Sequence, residues 1–368
     1  MSEPAAAFAP RWASPPGETI RAALEERSIS VEALAGALDR SGPWVHRLLD
    51  GDENISIETA RRLAALVGGT VEFWITRDSQ YHDDQSRVTA DKWAMSLPIS
   101  DMTAFGWIER PDTWQDRIKI GLKFFGVRDI DTFNSKYGSL SSVVLFRASE
   151  SSSLDLNTVA SWLRKAELEA QSLHCRPWNP EGLGAALPEI RTLTRKRDPQ
   201  TFLPKLMSLC GDAGVALTVV RAPRGCPVSG AARFLSKDQA QIVLSARYLA
   251  DDHLWFTFFH EVGHLLKHDG QRIFVDQIER GEAIPSSPDE KEADEFASSL
   301  LVPESARTML EGIKRPTARE IAMVARKADV APGIVVGFLQ HEGVLGFATK
   351  LNGFKHRYKW VGPILGRA

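Results

Sequence analysis

The stretch His253-Leu-Trp-Phe-Thr-Phe-Phe-His260-Glu261-Val-Gly-His264-Leu-Leu-Lys-His268 decides how this chain is read. Its apolar residues suit a helix, and Asp251-Asp252 place negative charge where a helix N-terminus favours it. Inside it, His260 to His264 spells His-Glu-x-x-His. At about 3.6 residues per turn, positions four apart share one helix face. Both imidazoles are then within reach of a single Zn²⁺, and Glu261 points toward a zinc-bound water. A five-residue pattern arises by chance, so its weight depends on a third ligand elsewhere.

Downstream stands Ser287-Pro288-Asp289-Glu290-Lys-Glu-Ala-Asp294-Glu-Phe296-Ala297-Ser-Ser-Leu300-Leu301-Val-Pro303. Ser287 caps a helix, Pro288 suits its first turn, and Pro303 stops it. Glu290 and Asp294 are four apart and share a face, the Glu-x-x-x-Asp arrangement of gluzincin-type peptidases. Glu290 is the expected third metal ligand, and Asp294 is expected to hydrogen-bond the far nitrogen of His260. A lone histidine is usually a surface or satisfied core residue, and an acidic run on a helix is usually solvated. Glu292 and Glu295 are read as that solvated face and His253 and His268 as helix-surface residues, with a place lining the cleft as the alternative for His268; the four residues His260, Glu261, His264 and Glu290 together are not read so plainly.

Upstream, Val215–Val220 is a β-branched run of strand character, and Val228–Leu235 and Gln241–Ser245 follow as two further strands. Ser229–Phe234 is the expected sheet edge on which an extended peptide would add. Trp255 to Leu266, Glu290 to Pro303, Ser229-Gly-Ala-Ala-Arg-Phe and Leu244-Ser-Ala-Arg247-Tyr248 together resemble the ImmA/IrrE metallo-endopeptidase family, over about residues 200–345. The resemblance implies a zinc peptidase that cleaves a repressor-type protein and so switches stress, phage or mobile-element genes. It puts the ligands on His260, His264 and Glu290, the general base on Glu261 and the supporting carboxylate on Asp294. Tyr248 is a guess for a transition-state contact.

The N-terminal part is helical by pattern. Ile20, Leu24, Leu34 and Leu38 recur at helix spacing, Ser30 suits an N-cap, and Asp39-Arg40-Ser41-Gly42 makes a tight turn before Trp44–Leu49. Ser30-Val31, Val45 to Gly51, Ile55-Ser56 and the closing Glu72-Phe73-Trp74 resemble the XRE helix-turn-helix family, especially its HigA-like branch, over residues 17–81. That implies double-stranded DNA as a partner, through Arg40, Trp44, His46, Arg47, Arg61 and Arg62, and a homodimer through this domain. Charge argues the other way. Residues 17–80 hold seven Arg and no Lys against eleven acidic residues, whereas duplex affinity is largely cationic. Val31 and Arg40 also depart from the family's usual glutamine and apolar turn residue.

The rest of the chain bounds these readings. With 43% apolar and 25% charged residues and a net charge of −2, the 368-residue chain is globular and no general nucleic-acid binder. Cys175, Cys210 and Cys226 show no Cys-x-x-Cys spacing, which fits free thiols in a reducing compartment. No membrane-spanning run or secretory signal is legible, so a cytoplasmic location is expected. The expected organisation is an α+β chain: an arm over 1–16, the helix-turn-helix domain over 17–80 and a polar linker over 81–92. A mostly helical region over 93–213, a gluzincin-like zinc peptidase domain with a small sheet over 214–345, and a basic, aromatic tail over 346–368 follow. In the middle, helices are expected at Trp114–Phe125, Leu156–Leu173, Pro188–Lys196 and Pro199–Ala213, with Val143–Phe146 open between loop and strand. The alternative function is a DNA-binding regulator or antitoxin whose zinc domain is a sensor or scaffold.

Overall fold

The protein is seen in a computed structural model that describes residues 11–138, 156–268, 274–277, 287–313 and 315–368, with 274–277 as backbone alone. Val143–Phe146 lies outside the described residues. Two compact units divide the chain, residues 1–95 with 112–119, and residues 96–111 with 120–368. No described helix is long and apolar enough to cross a membrane.

The first unit is helical: α1 Pro16–Glu26, α2 Val31–Leu38, α3 Gly42–Asp50, α4 Ile57–Val67 and α5 Val71–Ser96. Ser30 and Ser56 accept the amides of Ala33 and Thr59, satisfying donors that the first helical turn leaves open. Asp39 and Gly51 close α2 and α3 in the left-handed region, with φ of 55° and 87°. A β-carbon on Gly17 would lie 1.8 Å from the Leu49 carbonyl oxygen, so α1 and α3 touch backbone to backbone. Ile20, Leu34, Val45, Leu48, Leu63 and Trp74 fill the core. The Trp74 indole also donates to the Gly68 carbonyl at 2.9 Å.

Residues 81–92, expected as a polar linker, are helix within α5. Polarity alone does not break a helix when no Pro or Gly interrupts it. Tyr81 is buried and seats the helix against Gly51, Gln85 donates to the Tyr81 hydroxyl one turn away, and Arg11 pairs with buried Asp91 at 2.7 Å.

The second unit is built on a four-stranded sheet in the order β1-β3-β2-β4, with β1 Val215–Val219, β2 Val228–Ser236, β3 Gln239–Leu244 and β4 Phe274–Gln277. β1 runs parallel to β3, and both other pairings are antiparallel. Seven helices of this unit matter for the site: α6 Leu156–Ala170, α7 Pro180–Leu193, α8 Pro199–Asp212, α9 Asp251–Lys267, α10 Pro288–Leu301, α11 Ala318–Ala328 and α12 Pro332–His341. α9 carries the His-Glu-x-x-His run. Its Trp255, Phe258, Phe259 and Val262 share one core with Leu217, Ala232 and Ile242 of the sheet. On α6, the Leu163 and Ala166 carbonyls accept from buried Arg233 and Gln241 of the strands.

Four expectations change. Ser229–Phe234 is not a free edge, because β4 pairs with β2 from Val228 to Ala232; the short β4 lacked a strand signature in the sequence. Pro188 lies inside α7, which starts at Pro180 under an Asn179 cap rather than at Pro188. Pro188 has no N–H to offer the Gly184 carbonyl four residues back, and the helix runs through it with that hydrogen bond missing. The domain does not begin at 214, since Leu183, Ile190, Phe202 and Leu206 of α7 and α8 belong to the same core. Nor is 346–368 a loose tail.

That C-terminal segment forms the hairpin β5 Tyr358–Val361 and β6 Ile364–Arg367, and clamps the start of α9. The Asp251 amide donates to the His356 carbonyl at 3.1 Å and the Tyr358 amide to that of Leu249 at 2.9 Å. Lys355 Nζ meets Asp252 Oδ2 at 2.5 Å and Gln340 Oε1 at 2.6 Å, all buried. α12 reaches this spot because Gly333 and Gly337 lack side chains; β-carbons there would lie 2.9 Å from Asp251 Oδ2 and 2.6 Å from Asp252 Cβ. Burial, and then the neighbouring Asp252 charge, push the Asp251 carboxyl up to about 7.

Two outcomes follow from this cluster. Lys355→Met leaves Asp252 charged and buried without its cation, and is expected to cost about 3–5 kcal/mol in urea unfolding. A cost below 1 kcal/mol would show the pair to be dispensable. Asp251 holds a proton in the fold that it has lost in the unfolded chain between its ordinary value of 3.8 and about 7. Its contribution is therefore full below pH ~4 and is lost as pH rises through ~7. Asp251→Asn should flatten the decline in stability between pH ~4 and ~7; an unchanged slope assigns the decline to other groups.

Candidate metal centre

The site is made where α9 lies on α10. Gly263, one of the two variable positions of the His-Glu-x-x-His run, faces Ala293; a β-carbon on Gly263 would sit 3.1 Å from the Ala293 Cα. Two small residues at the crossing let the helices approach closely enough for Glu290 to reach the histidines. Ser287 fixes the start of α10 by accepting the Glu290 amide at 3.3 Å. Glu290 thus sits in the first turn, where negative charge is favoured.

His260 and His264 are both buried, and their Nε2 atoms lie 3.0 Å apart. The Glu290 carboxylate straddles them, with Oε2 3.2 Å from His260 Nε2 and Oε1 3.2 Å from His264 Nε2. His260, His264 and Glu290 form the group among the described residues whose ligand atoms cluster closely enough to hold a metal ion. The outer nitrogens are engaged as well. His260 Nδ1 lies 2.8 Å from Asp294 Oδ1. A carboxylate can only accept, so Nδ1 carries the proton and Nε2 of a neutral ring turns its lone pair inward. Lone pairs converging from two imidazoles and a carboxylate repel one another unless a cation lies between them. Mixed nitrogen and oxygen donors suit zinc and other first-row divalent metals.

Glu261 is fully buried on the turn that bears His260. β2 lies against it: a β-carbon on Gly230 would come within 2.5 Å of Glu261 Oε1 and of Thr257 Cγ2. Gly230 is therefore a site residue that sequence reading passed over, although a glycine inside a strand signals close approach. His268 is a second. Read as surface, it is buried as a side chain and places Nδ1 3.1 Å from His264 Nδ1, with Nε2 3.2 Å from Glu292 Oε2. Its signal was present, since His268 follows His264 at the same four-residue spacing. Glu292 is exposed, as read, and also contacts that outer histidine.

The Tyr248 ring lies on His253, with centroids 4.3 Å apart, two turns before Glu261. In the first unit, Arg40, His46 and Arg61 are exposed, and the Arg40 guanidinium covers Trp44 at 5.1 Å. Arg47 is paired with Glu53 at 2.7 Å and Arg62 with Glu58 at 2.9 Å. Two of the five cationic candidates are therefore neutralised within the unit.

The outer contacts carry a prediction of their own. Asp294→Ala and His268→Ala should each weaken Zn²⁺ affinity about 10–100-fold in chelator competition, because each frees a ligand ring to turn. Wild-type affinity in both variants would reduce these residues to bystanders.

Residues 218–323 match the family model described as the IrrE N-terminal-like domain, Peptidase_M78. No curated protein matches the chain. The segment that carries His260, Glu261, His264 and Glu290 is thus similar to a metallopeptidase domain.

Proposed function

We propose that the protein is a zinc-dependent endopeptidase. The observation that carries this reading is the closure of two buried imidazoles and the Glu290 carboxylate on one point, with Glu261 beside them. His260, His264 and Glu290 would hold the ion. Zinc, when bound, supplies Lewis acidity that draws the pKa of water toward ~7 and polarises the scissile carbonyl.

Glu261 supplies the proton traffic. Its carboxylate accepts a proton from the attacking water and returns it to the departing amide nitrogen, so the C–N bond breaks into an acid and an amine. Gly230 keeps β2 against this carboxylate and limits its rotation. Asp294 and His268 keep the ligand rings turned inward. The resemblance to the ImmA/IrrE family adds a repressor-type protein as substrate, and with it a regulatory role in stress or phage response.

For the N-terminal unit the proposed partner is double-stranded DNA, supported by the helix order α2-turn-α3 and by exposed Arg40, His46 and Arg61. A dimer through this unit is the companion proposal. The ion pairs of Arg47 and Arg62 leave its cationic footprint small.

Glu261→Gln should retain one equivalent of zinc and lose about 10²–10⁴-fold in cleavage of a candidate repressor protein. Undiminished cleavage would remove Glu261 from the mechanism. In a gel shift with the genomic upstream region at low salt, Arg40→Ala with Arg61→Ala should abolish retardation. No retardation by the wild-type chain would remove DNA from the account.

A further inference from the structure

The C-terminal hairpin has two unlike faces. Tyr358 and Leu365 turn inward and are buried in the core. Alternation along the strands then puts Arg357, Lys359 and Val361 on the outer face, with Ile364, Gly366 and Ala368 beside them. Pairing sets these residues in rows: Val361 beside Ile364, and Lys359 beside Gly366. Arg357 lies beside Ala368, whose amide donates to the Arg357 carbonyl at 3.0 Å.

Three features of the outer face point to a partner. Its charge is uncompensated: residues 343–368 hold five Lys and Arg and no Asp or Glu. Lys355 is taken up inside the core by Asp252, whereas Arg357, Lys359 and Arg367 are exposed and form no ion pair among the described residues. Burial, and then the charges of Arg197 and Arg367, hold the His356 imidazole below its ordinary value, so a further guanidinium stands at this end of the hairpin. At the turn, Val361 and Ile364 stand side by side and are 58% and 53% exposed. Finally, Gly366 and Ala368 leave the face low beside the two cations. A β-carbon on Gly366 would meet Val361 Cγ2 at 3.7 Å, an ordinary contact, so packing does not require glycine there.

We propose that this face binds an extended acidic segment of a partner protein, with the pattern acidic-x-acidic-x-aliphatic. Same-face positions on a strand are about 6.8 Å apart. Carboxylates two residues apart therefore reach Arg357 and Lys359, and the aliphatic side chain two residues further on covers Val361 and Ile364. The backbone of the segment lies over Gly366 and Ala368. A phosphate backbone offers nothing to the two exposed apolar residues. An anionic membrane meeting the turn would leave Arg357 about 14 Å behind, four strand positions away and beyond a Debye length. The hairpin is also held in place before any partner arrives. Gln200 Nε2 donates to the Leu365 carbonyl at 3.0 Å and the Tyr358 amide to that of Leu249 at 2.9 Å, so binding orders little of this chain. Nothing in this asks for a working zinc site.

The test is fluorescence anisotropy of the full-length chain with a short labelled peptide centred on Glu-Thr-Glu-Thr-Val. It should bind about tenfold tighter than the same peptide with both Glu replaced by Gln, or with the two Glu made adjacent, and should weaken as salt rises. Arg357→Gln with Lys359→Gln should lower affinity about tenfold. Gly366→Val should do the same by filling the floor, with an unchanged thermal melt because valine suits a strand. If Gly366→Val melts early, the exposed pair Arg357 and Lys359 carries the test. No binding by the wild-type chain, equal binding of the Gln peptide, or unmoved affinity in both variants would each overturn the proposal. So would a random-sequence DNA duplex or a phosphatidylserine vesicle that binds at these residues when the peptide does not. Binding is read without cleavage, so failure of the peptidase reading leaves this result untouched, and failure here leaves that reading untouched.

Discussion

The distance between α9 and α10 governs everything this domain can do. Gly263 against Ala293 sets it, because no side chain on the first and only a methyl on the second allow near backbone contact. With the helices at that separation, a glutamate in the first turn of α10 reaches two histidines on α9. Wider spacing leaves Glu290 short of both rings and Asp294 short of His260 Nδ1. The chemistry of the site is thus set by a packing contact that bears no functional group.

The other end of α9 is held by different means. There the chain buries Asp251, Asp252, Lys355 and Gln340 together, with two α12 glycines making room for the acidic pair. Buried charge contributes little net stability but penalises any arrangement that separates the partners. α9 is therefore fixed at its C-terminal half by apolar close packing and at its N-terminus by ionic matching. The strand that presses on Glu261 through Gly230 is located by the same core that seats Trp255 and Phe258. A helix constrained at both ends and along one face presents His260, Glu261 and His264 with little freedom, as the proposed peptidase chemistry would require.

How much of this was legible in the sequence differs by element. The helices that carry His260, His264 and Glu290 were readable because their signals are local: a four-residue spacing, a serine cap and a proline stop. Asp294 was assigned to His260 from its likeness to the Glu-x-x-x-Asp arrangement of gluzincin-type peptidases, and Asp294 Oδ1 lies 2.8 Å from His260 Nδ1. Gly230 and the C-terminal hairpin were not readable, since their roles depend on residues far away in the chain. Lys355 looked like one cation of a basic tail, and only its partner Asp252, 103 positions earlier, makes it part of a core. The helical state of residues 81–92 was not legible because that helix is seated by tertiary contacts of Tyr81 and Asp91 rather than by an apolar stripe. His268 is a different case: its spacing was visible, and it was set aside because single histidines are seldom informative.

The central claim is that His260, His264 and Glu290 form one metal site with Glu261 outside the ligand set. X-ray absorption at the zinc edge, with metal content per chain, tests it most directly. The account predicts one zinc per chain, two imidazole nitrogens at about 2.0–2.1 Å and a carboxylate oxygen at about 2.0–2.2 Å. That spectrum should persist in Glu261→Gln and vanish with the metal in His264→Ala. A chain that takes up no zinc, or a zinc shell that changes on replacing Glu261 and survives loss of His264, would contradict it.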